Sequence, residues 1–310
     1  MHDFKGKIVF VTGGTGTIGQ SVVDELVKLG AIVRIYSRDQ NKQFVMANRL
    51  KSVSLKFING DICDLDLLLR SMKGSDYVVH CAASKHVPLC ETNVDSSIKI
   101  NVEGTRNVLL AATRNSVKKF LQLSTDKAVN PVSVMGMTKA LAERLVLEFN
   151  SEFASSCVRL GNVFASNGSV IPTFRENIKR NEPLVVNNPD ASRFFLTQQA
   201  CSKFIVSSLS LMKGGEIFIP KMKWLMIDDL AKTMRPSEKY PIVYRDMLFG
   251  EKLDESLFSE KELNFIYECS DYWVIRYGSP SLNTLSYSDV HKNKSWKYTQ
   301  VEIRELLEHV

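Results

Sequence analysis

The stretch KIVFVTGGTGTIG, residues 7–19, sets the architecture of the chain. Its first five residues are short, apolar and partly β-branched, the composition of a buried strand. They run directly into Gly13, Gly16 and Gly19 at GxxGxxG spacing, and a helical pattern continues from about residue 17 to residue 29. Gly13 permits a tight turn, Gly16 lets backbone approach a diphosphate, and Gly19 lets the following helix pack close. The free N–H groups at the start of that helix favour an anion. Thr15, Thr17 and Ile18 lie on the same turn and are expected to line it. A second apolar run at 32–36 completes strand, glycine turn, helix and strand, the context that a dinucleotide site requires.

That second strand ends in Ser37, Arg38 and Asp39, with Lys42 one turn later. An acid at the tip would bond a ribose 2′-hydroxyl, whereas serine followed by arginine suits a 2′-phosphate. The expected cofactor is therefore NADP, provided Asp39 points away. Residues 55–58 read as a third strand, with Asp61 and Ile62 placed for the adenine end. Residues 77–81 read as a fourth, followed by Ala82, Ala83, Ser84, Lys85 and His86. Two alanines allow close backbone approach to a cofactor, and Lys85 is placed to reach a phosphate or sugar. Asn101 lies on the next helix, where it is expected to hold a water or a backbone carbonyl beside the active centre. Strands alternating with helices in this way predict an α/β fold with a parallel, doubly wound sheet.

The fifth strand, KFLQL at 119–123, leads into STDKAVNPVSVMGMTK, residues 124–139. The carboxyl end of a strand is where ligands bind in such a sheet. Two hydroxyls (Ser124 and Thr125), the carboxylate of Asp126 and the amines of Lys127 and Lys139 gather around one reaction centre.

Composition narrows the class. The chain has 310 residues, of which 44% are hydrophobic and 24% charged, enough for a large α/β unit with a smaller appended region. Its net charge of +6 is scattered along the sequence, which suits anionic small molecules and argues against nucleic acid. Six cysteines without a CxxC pair read as buried reduced thiols, so no metal site is expected. No apolar run approaches the ~20 residues of a membrane span, and no signal peptide is visible, so a cytoplasmic location is expected.

Taken together, GGTGTIG, the SRD tip, CAASKHVP, STDK, MGMTK and RLGNVFASNGSVIP resemble the extended short-chain dehydrogenase/reductases. Within them, the chain resembles the nucleotide-sugar 4,6-dehydratases of bacterial polysaccharide synthesis over about residues 5 to 260. The resemblance implies a Rossmann domain beside a smaller substrate domain, with UDP-N-acetylglucosamine bound next to NADP. It also implies a homo-oligomer, because apolar helices after the fourth and fifth strands pair between subunits in that family. By resemblance, Thr125 bonds the sugar O4, Asp126 protonates the departing O6 hydroxyl, and Lys127 takes the C5 proton. Asp126 should then be held protonated and Lys127 neutral, although two adjacent opposite charges favour the ionised forms. Met135 departs from the family, which places a tyrosine there as base for O4. No tyrosine lies between Tyr77 and Tyr240, so Lys127 or a bound water is expected to take that proton, with Lys139 on the nicotinamide ribose.

Further along, Asn162 and Arg193 are expected at the substrate diphosphate, and Ser169 and Val170 at the uridine. FGEKLDE, residues 249–255, resembles a family segment whose glutamate, here Glu251, binds ribose hydroxyls. The arginine that the family has just before it is Leu248 here, with Arg245 nearby. The expected domains are 1–165 plus about 195–232 for NADP, and 166–194 plus 233–310 for the nucleotide sugar. The expected activity is a UDP-N-acetylglucosamine 4,6-dehydratase that inverts C5. The alternatives are a C5-retaining dehydratase, a UDP-sugar 4-epimerase, and an NADP-binding sensor with an inactive site.

Overall fold

The computed structural model describes residues 4–281 and 293–308. Six strands, β1 (Ile8–Thr12), β2 (Ile32–Ser37), β3 (Leu55–Asn59), β4 (Tyr77–His80), β5 (Lys119–Thr125) and β6 (Ala154–Leu160), form the nucleotide half. They are all parallel and lie in the order β6-β5-β4-β1-β2-β3. This is the doubly wound Rossmann arrangement, and it reverses direction between β1 and β4. A crevice opens at that switch point, outside the carboxyl ends of the strands.

The smaller unit begins after β6. It holds β7 (Asn162–Val163), β8 (Leu184–Asn187), β9 (Ser192–Leu196), β11 (Lys223–Met226) and β12 (Ile242–Arg245), in sheets ordered β11-β9-β7 and β12-β8. A separate buried cluster, including Phe164, Ile171, Phe174, Phe195, Leu225 and Leu230, forms its core. Between these strands the chain returns to the large sheet as β10 (Glu216–Pro220), parallel to β6.

The expected domain boundaries need two corrections. Strands β13 (Ile266–Glu268) and β14 (Tyr272–Arg276) extend the large sheet antiparallel beyond β10, making nine strands, although they were placed with the substrate half. Conversely, β11 pairs with β9 in the sheet of the smaller unit and the helix Ile227–Met234 packs into the smaller core, although residues 223–232 were placed with the cofactor half. Both exchanges have one physical cause. Trp273 and Ile275 are wholly buried against the large core, and Leu225 and Leu230 against the small one. Burial of apolar area outweighs continuity in sequence.

A buried ion network fastens this crossing. Arg159 on β6 donates from Nε and Nη2 to Glu143 at 3.1 and 2.8 Å. It also donates from Nη1 and Nη2 to Glu262 at 3.2 and 3.0 Å, and from Nη1 to the Leu257 carbonyl at 3.0 Å. Glu262 accepts further bonds from Tyr277 and from the Ser259 N–H. Burial alone would raise the Glu262 carboxyl, but the Arg159 guanidinium outweighs it and holds the group down at about 2. Segment 257–262 is thereby tied to the core of the sheet.

Among the described residues, no helix is long and apolar enough to cross a membrane, and no group of His, Cys, Asp and Glu is placed to hold a metal. All six cysteines are free. Leu89, Val94 and Ile98 are exposed on the helices after β4, as are Met137 and Leu141 on the helix after β5.

Candidate active site

The glycine turn is as tight as the sequence suggests. Gly13 has φ +63°, and a Cβ there would lie 2.7 Å from the Ala82 nitrogen across the switch point. A Cβ on Gly19 would lie 2.3 Å from the Gly13 carbonyl oxygen. Any side chain at either position would force the crevice apart. The helix Thr17–Lys28 begins behind Gly16 without a side-chain cap, leaving its first N–H groups to face an anion. This cradle fits the diphosphate of a dinucleotide.

At the tip of β2 the side chains divide their tasks. Asp39 caps the helix Gln40–Leu50 by accepting from the Lys42 N–H at 3.0 Å, and its carboxylate pairs with the Lys42 ammonium at 3.0 Å. It is therefore engaged within its own helix, together with Lys42. Ser37 is buried, and its hydroxyl accepts from Gln43 at 2.9 Å. Arg38 stays 66% exposed, 3.5 Å from Asp61, whose other oxygen accepts from the Cys63 N–H. Ile62 is buried against Gly104.

Asn101 sits on a π-helical turn, Lys99–Gly104, inserted between two α-helices. Such insertions are frequent at functional sites. Its side chain accepts from the Ser84 N–H at 2.7 Å and donates to the Ser84 carbonyl at 3.0 Å and to Thr138 at 3.0 Å. Asn101 thus fixes the backbone that follows Ala82 and Ala83, and of the two expected partners it is the backbone carbonyl that it bonds. Below it, His80 lies between Thr12 at 2.6 Å and Thr105 at 3.1 Å. Burial, helped by the charge of Lys139, pushes its imidazole down to about 3, so it stays neutral.

One residue spans the crevice. The Asn167 N–H donates to the Thr17 hydroxyl at 3.1 Å, and the Lys85 ammonium donates to the Asn167 carbonyl at 2.5 Å. Thr17 follows β1 and Lys85 follows β4, the two strands flanking the switch point. Next to it, Gly168 (φ +72°) faces the His86 ring. Ser169 and Val170 start the helix Val170–Lys179.

The chemistry gathers at the end of β5. Thr125 donates to Asp126 Oδ1 at 2.9 Å, and Lys127 donates to the same oxygen at 3.0 Å. Asp126 has no exposed surface, and its Oδ2 has no partner among the described residues. Burial raises the Asp126 carboxyl; Lys127 works against that rise, and Glu255 reinforces it. The expectation of a neutral Lys127 is corrected. Burial pushes its ammonium down, but the carboxylates of Asp126 and Glu255 outweigh it and shift the group up. In the resting protein Lys127 is the cation of an ion pair.

Asn162 has its Oδ1 3.5 Å from Lys127 Nζ, and its amide donates to the Phe194 carbonyl. Arg193 donates to the Ser192 and Leu253 carbonyls at 2.7 and 2.9 Å. Glu251 accepts from Asn187 and from the Leu248 N–H. Both lie on the segments that meet above Lys127. Arg245 is exposed on β12.

Met135 is 4% exposed on the helix Val134–Glu148, four residues before Lys139. Lys139 is buried and donates to the Leu123 carbonyl at 2.6 Å, and burial lowers its ammonium. Tyr36, Tyr240, Tyr244, Tyr267, Tyr277 and Tyr298 all direct their hydroxyls to partners elsewhere, so none of these replaces the missing phenol.

The sequence reading missed Glu255, Lys252 and Glu91. Glu255 is buried, 3.6 Å from Lys127 and 3.0 Å from Lys252. Lys252 also donates to the Val129 carbonyl at 2.7 Å, just beyond the Thr125–Lys127 run. Glu91 accepts from the Val134 N–H at 2.7 Å and so seats the helix that carries Met135 and Lys139. The only signal for Glu255 was a second glutamate four residues after Glu251.

A dinucleotide cradle beside a Thr-Asp-Lys group with a buried aspartate defines an enzyme of the extended short-chain dehydrogenase/reductase class. Residues 9–277 match the family described as polysaccharide biosynthesis protein, and the chain belongs to it. Its relatives include a UDP-N-acetylglucosamine 4,6-dehydratase (inverting) of Campylobacter jejuni, 38% identical over 90% of this chain and 84% of that one. A UDP-glucose 4-epimerase of Rickettsia rickettsii is 37% identical over 92% of this chain and 87% of its own. Among solved structures, Pen from Bacillus thuringiensis superposes with a TM-score of 0.92 at 32% identity, covering 99% of each chain.

Proposed function

We propose that this chain is a UDP-N-acetylglucosamine 4,6-dehydratase that inverts C5 and works with bound NADP. The observation that carries the reading is Asp126, a carboxyl with no exposed surface, one unpartnered oxygen and a raised proton affinity beside the crevice. Elimination across C5–C6 needs such an acid, whereas epimerisation at C4 does not. The cofactor supplies reversible hydride transfer, and Gly13, Gly16, Gly19, Ala82, Ala83 and Lys139 are the residues that would hold it. Thr125 bonds O4 and orients the ring. The O4 proton goes to a water beside Thr125, or to Lys127 provided Lys127 passes it on before the C5 step, because Met135 offers no oxygen. Lys127 in its amine form removes the C5 proton, and Asp126 gives its proton to the O6 hydroxyl, which leaves as water. Inversion then requires that C5 be reprotonated on the opposite face.

A second reading, 4-epimerisation, draws on the Rickettsia relative. One experiment separates the two. Incubation with UDP-N-acetylglucosamine in deuterium oxide should give a product lighter by one water, labelled at C5 and inverted there by proton NMR. An unchanged composition with C4 inverted would establish the epimerase, and no product at all would leave only a binding protein.

The NADP assignment rests on Arg38 standing exposed while Asp39 is engaged as a cap. A charged hydrogen bond to a 2′-phosphate contributes about 1.5–3 kcal/mol, so NADP should bind at least roughly tenfold more tightly than NAD. A titration in which NAD binds equally well or better refutes that assignment.

A further inference from the structure

Asp126 and Lys127 alone make a poor acid–base couple. In a hydrated site a carboxylic acid and an amine held 3.0 Å apart pass over into carboxylate and ammonium, which can neither donate at O6 nor accept at C5. The structure places a third group beside them. Glu255 comes from the FGEKLDE segment, has almost no exposed surface, and lies 3.6 Å from Lys127. Its position is fixed from two directions. Lys252 holds it at 3.0 Å while also bonding the Val129 carbonyl, and Arg159 and Glu262 anchor the residues that follow it.

We propose that Glu255 is the proton acceptor for Lys127, so that Lys127 works as an amine while Asp126 keeps its own proton. The step is a shift within the group. An N–H bond of the Lys127 ammonium breaks and an O–H bond forms on Glu255, giving amine and carboxylic acid. Nothing is oxidised and no proton is exchanged with solvent. Two protons are shared among three sites, and the resting arrangement differs from the working one only in which of Lys127 and Glu255 holds the second. The driving force is desolvation. When the hexose ring displaces water from the pocket, a buried ion pair loses its hydration and the neutral form gains. Burial raises the Glu255 carboxyl, but Lys127, Lys252 and Arg193, the charged groups facing it, outweigh that and hold it low. In the resting protein the proton therefore stays on Lys127 and moves only when the pocket dries; Asp126 lies across Lys127 from Glu255.

This inference rests on the dehydratase reading and deepens it. Its test is Glu255→Gln, which keeps size and loses the proton acceptor. Turnover should fall roughly tenfold to a hundredfold, with KM for UDP-N-acetylglucosamine within about threefold of the parent. The pH profile carries a second signature. Turnover is lost on the alkaline side as Asp126 gives up its proton, and the Glu255 carboxylate opposes that loss. In the Gln variant the alkaline limb should therefore move to lower pH. A purely structural role would leave that limb where it is. Glu255→Asp, which retains a carboxylate, should fall between the two and provides the same readout should the Gln variant not fold. A folded variant with parental turnover and a superimposable profile overturns the inference. The parent is assayed first: if it releases no water from the sugar, the dehydratase reading fails, whereas an active parent with an indifferent variant refutes only the role of Glu255.

Discussion

Lys127→Ala is expected to remove turnover, lowering it by about 10²–10⁴-fold, while nicotinamide dinucleotide binding stays intact. The separation follows from where the groups stand. Lys127 is bonded to Asp126, Glu255 and Asn162 at the end of β5 and the base of the smaller unit. The cradle is built elsewhere, by the Gly13–Gly19 turn closing on Ala82. The variant should also fold, because Glu255 retains Lys252 as its counter-charge and Asp126 can remain protonated. Lys127→Arg should not rescue activity, since a guanidinium does not give up its proton under working conditions. The measurements are product formation and dinucleotide titration on the same preparations. Turnover within tenfold of the parent would remove Lys127 from the mechanism, and loss of cofactor affinity would show that the site is not divided in this way.

Arg159→Met is expected to be the most damaging change to stability. It leaves Glu143 and Glu262 buried without their shared partner, a situation that costs about 3–5 kcal/mol. For a chain of this size the melting temperature should drop by roughly 10 °C. The triple change Arg159→Met, Glu143→Gln, Glu262→Gln should recover much of that loss, because it removes the stranded charges as well. The same network gives an acid dependence. The Glu262 carboxyl is held below its ordinary 4.5, at about 2, so its contribution is complete above the ordinary value. It is lost as pH falls through that interval. A single variant that melts within a degree or two of the parent would show that the network adds little.

The parts of the fold that local sequence determines were readable from it. The glycine turn, the first six strands and the Thr-Asp-Lys run are each written in adjacent residues. Asp39 shows where adjacency stops being enough. Its identity was plain, but whether it faced the cofactor or capped its own helix depended on backbone geometry. The domain assignment failed at β13 and β14 because their edge pairing with β10 joins residues far apart in the chain. The charge of Lys127 was misjudged for the same reason. Its neighbour Asp126 was visible, but Glu255 reaches it only through the fold, and two carboxylates outweigh burial where one was expected to lose to it. The Arg159 network was not foreseen, since arginine on a strand with glutamates on two other elements has no spacing signature.

Asn167 holds Thr17 with its N–H and Lys85 with its carbonyl, so a single residue bolts the two lips of the crevice together. On the proposed chemistry the coenzyme would supply reversible hydride transfer within one cycle, and so would never need to be swapped. A bolted entrance then carries no kinetic penalty. The coenzyme becomes a permanent tenant, travelling with the protein through purification and behaving as a prosthetic group instead of a co-substrate drawn from solution.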